Sequence, residues 1–155
     1  MKATSLWRGA VLVCVAALMM ASAAQAASCQ VSASAVSFGS FSPLTLDYVD
    51  STGNITVNCT DVVGYSIALS AGNGSYSLRR MVSGSDTLDY NLYRDAAHQQ
   101  VWGDGSAGDN HAVTVASPVD GQNYVHTVYG RIYLISRRGA HVGTYTDTIG
   151  IIVSY

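Results

Sequence analysis

This sequence contains no glutamate, and its single lysine is Lys2. Those two residue types usually coat exposed helix faces, so their shared scarcity argues against a helical protein. Positive charge is also scarce. Beyond Lys2 and Arg8 it consists of Arg79, Arg80, Arg94, Arg131, Arg137 and Arg138, set against ten aspartates. A chain with this balance has no basic face with which to neutralise phosphates, so nucleic acid is excluded as a partner. The two arginine pairs are expected at strand ends or on the surface. Without glutamate, a catalytic carboxylate pair would rest on aspartate alone. No G-x-S-x-G elbow is present, and His98, His111, His126 and His141 are scattered without zinc-ligand spacing. Nothing in these residues asks for catalysis, a metal or a cofactor, and the chain is read as no enzyme. Proline is rare as well, at Pro43 and Pro118, both in loop-like stretches.

Long apolar runs are missing except at the start, where Gly9–Ala24 follows the basic residues Lys2 and Arg8. "AQA" at Ala24–Ala26 supplies the small-x-small pattern of a signal-peptidase site, so residues 1–26 read as a leader and 27–155 as one domain. The run is short for a membrane anchor and ends in small residues rather than a charged stop. Of the cysteines, Cys14 leaves with the leader. Cys29 and Cys59 remain as an even pair in an oxidising compartment, where a disulfide is the default; a thiol nucleophile or a metal ligand is the alternative. Closing that loop would contribute roughly 3–4 kcal/mol by chain entropy.

What is present is alternation. Ile55, Val57 and Cys59 share one face of Gly53–Cys59, and Tyr65, Ile67 and Leu69 share one face of Gly64–Ser70. Tyr76–Val82 and Leu88–Arg94 follow, with Leu88, Tyr90 and Leu92 inward and Asp89, Asn91 and Tyr93 outward. Cys29–Phe38 begins as a strand and loses phase near Ala35–Val36, where a bulge or sheet switch fits. Tyr124–Ser136 is long, with Gly130 marking a bend or close approach. The chain closes on "YTDTIGIIVSY", a strand with Tyr145, Ile149, Ile151, Val153 and Tyr155 on one face. Turn residues separate these runs, which predicts one all-β sandwich of about seven strands. "GDGSAG" at Gly103–Gly108 has dinucleotide-motif spacing but no helix after it, and its Asp104, with Asp109 and Asn110, reads as a solvated turn rather than a calcium loop.

In order along the chain, "CQVSASAVSFGSFSP", "GNITVNC", "YSIALSAG", "RRM", "LDYNLYRDAAHQQVWGDG", "VYGRI" and "GTYTDTIGIIVSY" resemble spore coat protein U domains, which are similar to the pilins of the archaic, Csu-type chaperone–usher pathway. The resemblance implies an immunoglobulin-like sandwich lacking its last strand, with a disulfide between the first two strands that maps onto Cys29 and Cys59. It also implies a periplasmic chaperone that lends a strand, an outer-membrane usher, and other pilin or coat subunits that supply the replacement. The chain is then a secreted structural subunit, periplasmic in transit and finally at the cell surface or in an extracellular fibre. Ile149, Ile151, Val153 and Tyr155 are the expected donor-strand and chaperone groove. Cleavage after Ala26 leaves only Ala27 and Ser28 before Cys29, so the subunit is expected to receive a strand rather than lend one, as a terminal or tip-proximal member does, or to be a secreted coat-type protein assembled some other way. The alternative is a secreted glycan- or surface-binding module acting through loops that bear tyrosines and Trp102.

Overall fold

The computed structural model describes residues 26–42, 48–106, 110–133 and 141–155. Residues 1–25, where most of the expected leader falls, Pro43, Asp109 and the Arg137–Arg138 pair lie outside the described residues. Among the described residues there is no helix. Ten strands follow one another: β1 (Ser28–Ala33), β2 (Tyr48–Thr60), β3 (Gly64–Leu69), β4 (Arg79–Ser83), β5 (Asp86–Tyr93), β6 (Val101–Trp102), β7 (Asn110–His111), β8 (Val113–Ala116), β9 (Asn123–Tyr133) and β10 (Ile151–Ser154).

They form two sheets. The larger runs β1-β2-β9-β5-β6-β7, with β4 also paired to β5, and the smaller runs β10-β3-β8. The alternating residues do what period-two patterning requires. Ile55, Val57 and Cys59 of β2, Leu88, Tyr90 and Leu92 of β5, and Val128 and Ile132 of β9 turn inward from the large sheet. Tyr65, Ile67 and Leu69 of β3 meet them from the small one, and all are buried in one core. The disulfide joins Cys29 to Cys59, which face each other in the β1–β2 register.

One side of the sandwich is closed by the chain itself. β7 belongs to the large sheet and β8 to the small one, with only Ala112 between them. There the Trp102 indole N–H donates to the Ile67 carbonyl at 3.0 Å, and the Leu69 N–H donates to the Gly103 carbonyl at 3.1 Å. Trp102 is therefore a fully buried strap between the sheets, which corrects its expected place in a binding loop.

Three other expectations are corrected here. The strand expected over Tyr76–Val82 is β4, Arg79–Ser83. Arg79 is no surface residue: it shares the inward parity of Met81 and is 0% exposed, while Arg80 lies outside against Asp89. Asn91 and Tyr93, expected to look outward, are buried. Arg79 and the Tyr76 carbonyl close over Asn91, and the His98 ring packs edge-on to Tyr93.

Candidate functional site

Among the described residues the opposite side of the sandwich is open. A groove of about 950 Å³ runs between the sheets, floored by Ile55, Leu88, Leu92, Val128 and Ile132 from one and Leu69 from the other. Residues 33–41 form one lip and 141–151 the other.

The first lip arises where β1 leaves its sheet. Ser34 still bonds Asn54 twice, N–H to carbonyl at 2.9 Å and Oγ from the Asn54 N–H at 2.9 Å. Beyond it Val36 and Phe38 fold inward over two glycines. A Cβ on Gly130 would stand 2.7 Å from Val36 Cγ1 and 2.8 Å from Phe38 Cζ, and one on Gly53 would stand 2.8 Å from the Ser34 carbonyl. Gly130 is thus the close approach its place in the strand pattern predicts. Phe38 meets Tyr90 edge-to-face, with ring centroids 6.2 Å apart.

The second lip is the end of the chain, and it is not one uninterrupted strand. Thr146 exchanges both backbone hydrogen bonds with Val82 of the large sheet, at 2.8 and 3.0 Å. By Gly150 the chain has crossed to the small sheet, where the Gly150 carbonyl accepts the Ser70 N–H at 2.9 Å. Ile151–Ser154 then pair with β3. The expected strand over 145–155 is therefore split by a sheet switch, although its side-chain alternation survives: Tyr145, Ile149, Ile151 and Val153 all pack against the core.

Hydrogen-bond direction follows from that register. In an antiparallel pair successive residues point their backbone groups to opposite sides. Gly150 points to β3, so Ile152 and Ser154 do too, and the N–H and C=O of Ile151 and Val153 point to the outer edge. No strand among the described residues pairs there. Ile149 and Ile151 line the groove, Val153 continues their row, and Tyr155 ends it, 60% exposed.

A polar cluster anchors this lip, and the strand pattern alone did not single it out. Asp147 is half-buried on the same parity as Ile149. Its Oδ2 accepts the Tyr90 O–H at 2.6 Å, and its Oδ1 accepts Asn73 N–H and Nδ2–H at 3.1 and 3.0 Å and Thr148 N–H at 2.8 Å. Burial, and then the carboxylate beside it, push the Tyr90 hydroxyl far above its ordinary range. Behind Tyr90, Arg79 donates to the Ser70 and Trp102 carbonyls at 2.8 and 2.7 Å and to Asn91 Oδ1 at 2.6 Å, tying both sheets together. The signal for Asp147 was available: it is the one acid on the inward parity of the last eleven residues.

The outer face of the large sheet carries the other polar group. Arg131 is bidentate to Asp50 at 2.6 and 2.7 Å and stacks 4.0 Å from the Tyr48 ring centroid. His98 is held edge-on between Tyr93 and Tyr129, with Nε2 3.7 Å from Asp50 Oδ1.

The family model described as Spore Coat Protein U domain matches residues 15–152. Among solved structures, the chain is similar to one in the crystal structure of the CsuC–CsuE chaperone–tip adhesion subunit pre-assembly complex from archaic chaperone–usher Csu pili of Acinetobacter baumannii. The likeness has a TM-score of 0.59 at 21% identity, and covers 84% of this chain and 40% of that one. No curated protein matches.

Proposed function

We propose that this chain, which belongs to the Spore Coat Protein U domain family, is an exported, non-catalytic structural subunit of a surface pilus, fibre or coat, built by a chaperone–usher pathway through donated strands. One observation carries the reading. Beside an apolar groove, Ile151 and Val153 turn their side chains to the core and their backbone groups to an edge that no described strand occupies. An incoming strand would gain main-chain hydrogen bonds along that edge and bury alternate side chains in the groove, which is β-augmentation. Until then the edge and groove are an aggregation liability. The chaperone, the usher and sister subunits are the partners this reading assigns, and the similar complex of chaperone and tip subunit supports the first.

The test is expression of the exported chain with and without a periplasmic chaperone of this pathway. Soluble yield is expected only with the chaperone, and Ile151→Asp should abolish co-purification, because a carboxylate would be driven into the groove. A stable, soluble monomer without any partner would overturn the reading. We further propose cleavage after Ala26, which would leave Ala27 and Ser28 before Cys29 and favour a terminal or tip-proximal place. The mass of the exported protein checks the first, and failure of the purified subunit to form homopolymers checks the second.

A further inference from the structure

Along the second lip the half-buried positions read Tyr145, Asp147, Ile149, Ile151 and Val153. Asp147 is the one carboxylate among the described residues that line the groove. A valine there would have prolonged the apolar row. Instead the fold commits four donors to the carboxylate, from Tyr90, Thr148 and, twice, Asn73. The neighbouring turn is shaped around it: Gly72 has φ +60°, and a Cβ on it would stand 2.2 Å from Asp147 Oδ2. A polar group this well bonded is stable where it is, but it stays costly to cover with hydrocarbon.

The groove therefore has one chemistry at the Asp147 end and another beside Ile149, Ile151 and Val153. A strand laid along the free edge can slide by two residues without exchanging its inward and outward faces, so alternation alone leaves its register open. We propose that Asp147, held by Tyr90, is a positioning residue that fixes the register of the incoming strand. That strand carries large apolar side chains at the alternate positions beside Ile149, Ile151 and Val153. At the Asp147 level it carries a small, hydroxyl or amide side chain. The inference rests on the strand-accepting reading above and adds to it the pattern of the partner segment.

The test uses the full exported chain extended beyond Tyr155 by a two-residue turn and an alternating valine strand, which folds back along the free edge. The guest position opposite Asp147 is either serine or leucine. The extension should yield a soluble monomer, and serine should give an unfolding midpoint higher than leucine by about 3 °C or more. In an Asp147→Leu background the order should invert. Should that variant fail to fold, Asp147→Asn, which keeps the shape without the charge, should shrink the leucine penalty. If no extension stabilises the chain, the strand-accepting reading fails. If extensions stabilise it but serine and leucine are equivalent, or the preference persists unchanged in both Asp147 variants, the register assignment alone is overturned.

Discussion

Two buried residues show what a single side chain does in this sandwich. Arg79 donates to two carbonyls and to Asn91, at a junction of both sheets, with no carboxylate among the described residues bonded to it. Arg79→Leu should cost about 3 kcal/mol or more in urea unfolding, because the acceptors would stay buried without donors. Arg79→Lys should recover part of this, since an ammonium cannot reproduce the planar fork. His126 Nε2 lies 2.9 Å from the Tyr65 hydroxyl between the sheets, and burial lowers its pKa below the ordinary 6.5. The folded state thus favours the neutral ring more than the unfolded state does. That stability is complete above pH of about 6.5 and is lost as pH falls through the lower folded value. Urea midpoints at pH 7.5 and 5 should differ more for the native chain than for His126→Gln. At this scale the sequence was half legible. The charge of "RRM" suits a strand end or the surface, and Arg79 does open β4; charge alone cannot tell that its donors meet buried carbonyls, and of the pair it is Arg80 that is exposed.

Elements were legible by type and less so by partner. The alternation of "YTDTIGIIVSY" gave its inward face, but side-chain parity is the same whichever sheet a strand bonds to, so the switch between Thr146 and Gly150 was invisible. The corresponding break after β1 did show, because Ala35–Val36 loses phase where the chain leaves for the lip. β1 is an edge strand with mostly exposed residues, held by β2 and the Cys29–Cys59 bridge. Cys29→Ser should therefore lose roughly 3–4 kcal/mol and expose the segment around Ser34 to protease. Unaltered thermal unfolding would show that the bridge contributes nothing. Gly130→Val should push Val36 and Phe38 off the β9 face, and a drop in chaperone capture alongside the lost stability would be its signature.

For the whole molecule, composition and turn spacing pointed to an all-β sandwich, while the order of strands depended on pairings such as Ile55 with His126, far apart in sequence. Those are set by which faces fit together, which no local window contains. The closed side, where Ala112 passes the chain from one sheet to the other, now acquires a dynamic meaning. Among the described residues the molecule is bound like a book along β6, β7 and β8, and its fore-edge is the margin expected to part. Filling the groove should leave amide hydrogen exchange along the Trp102 strap and β8 nearly unchanged. It should slow exchange sharply at Ile151 and Val153 and along the facing lip. An occupant would then alter the motion of one margin of the fold, while the spine keeps the same protection whether the page is open or shut.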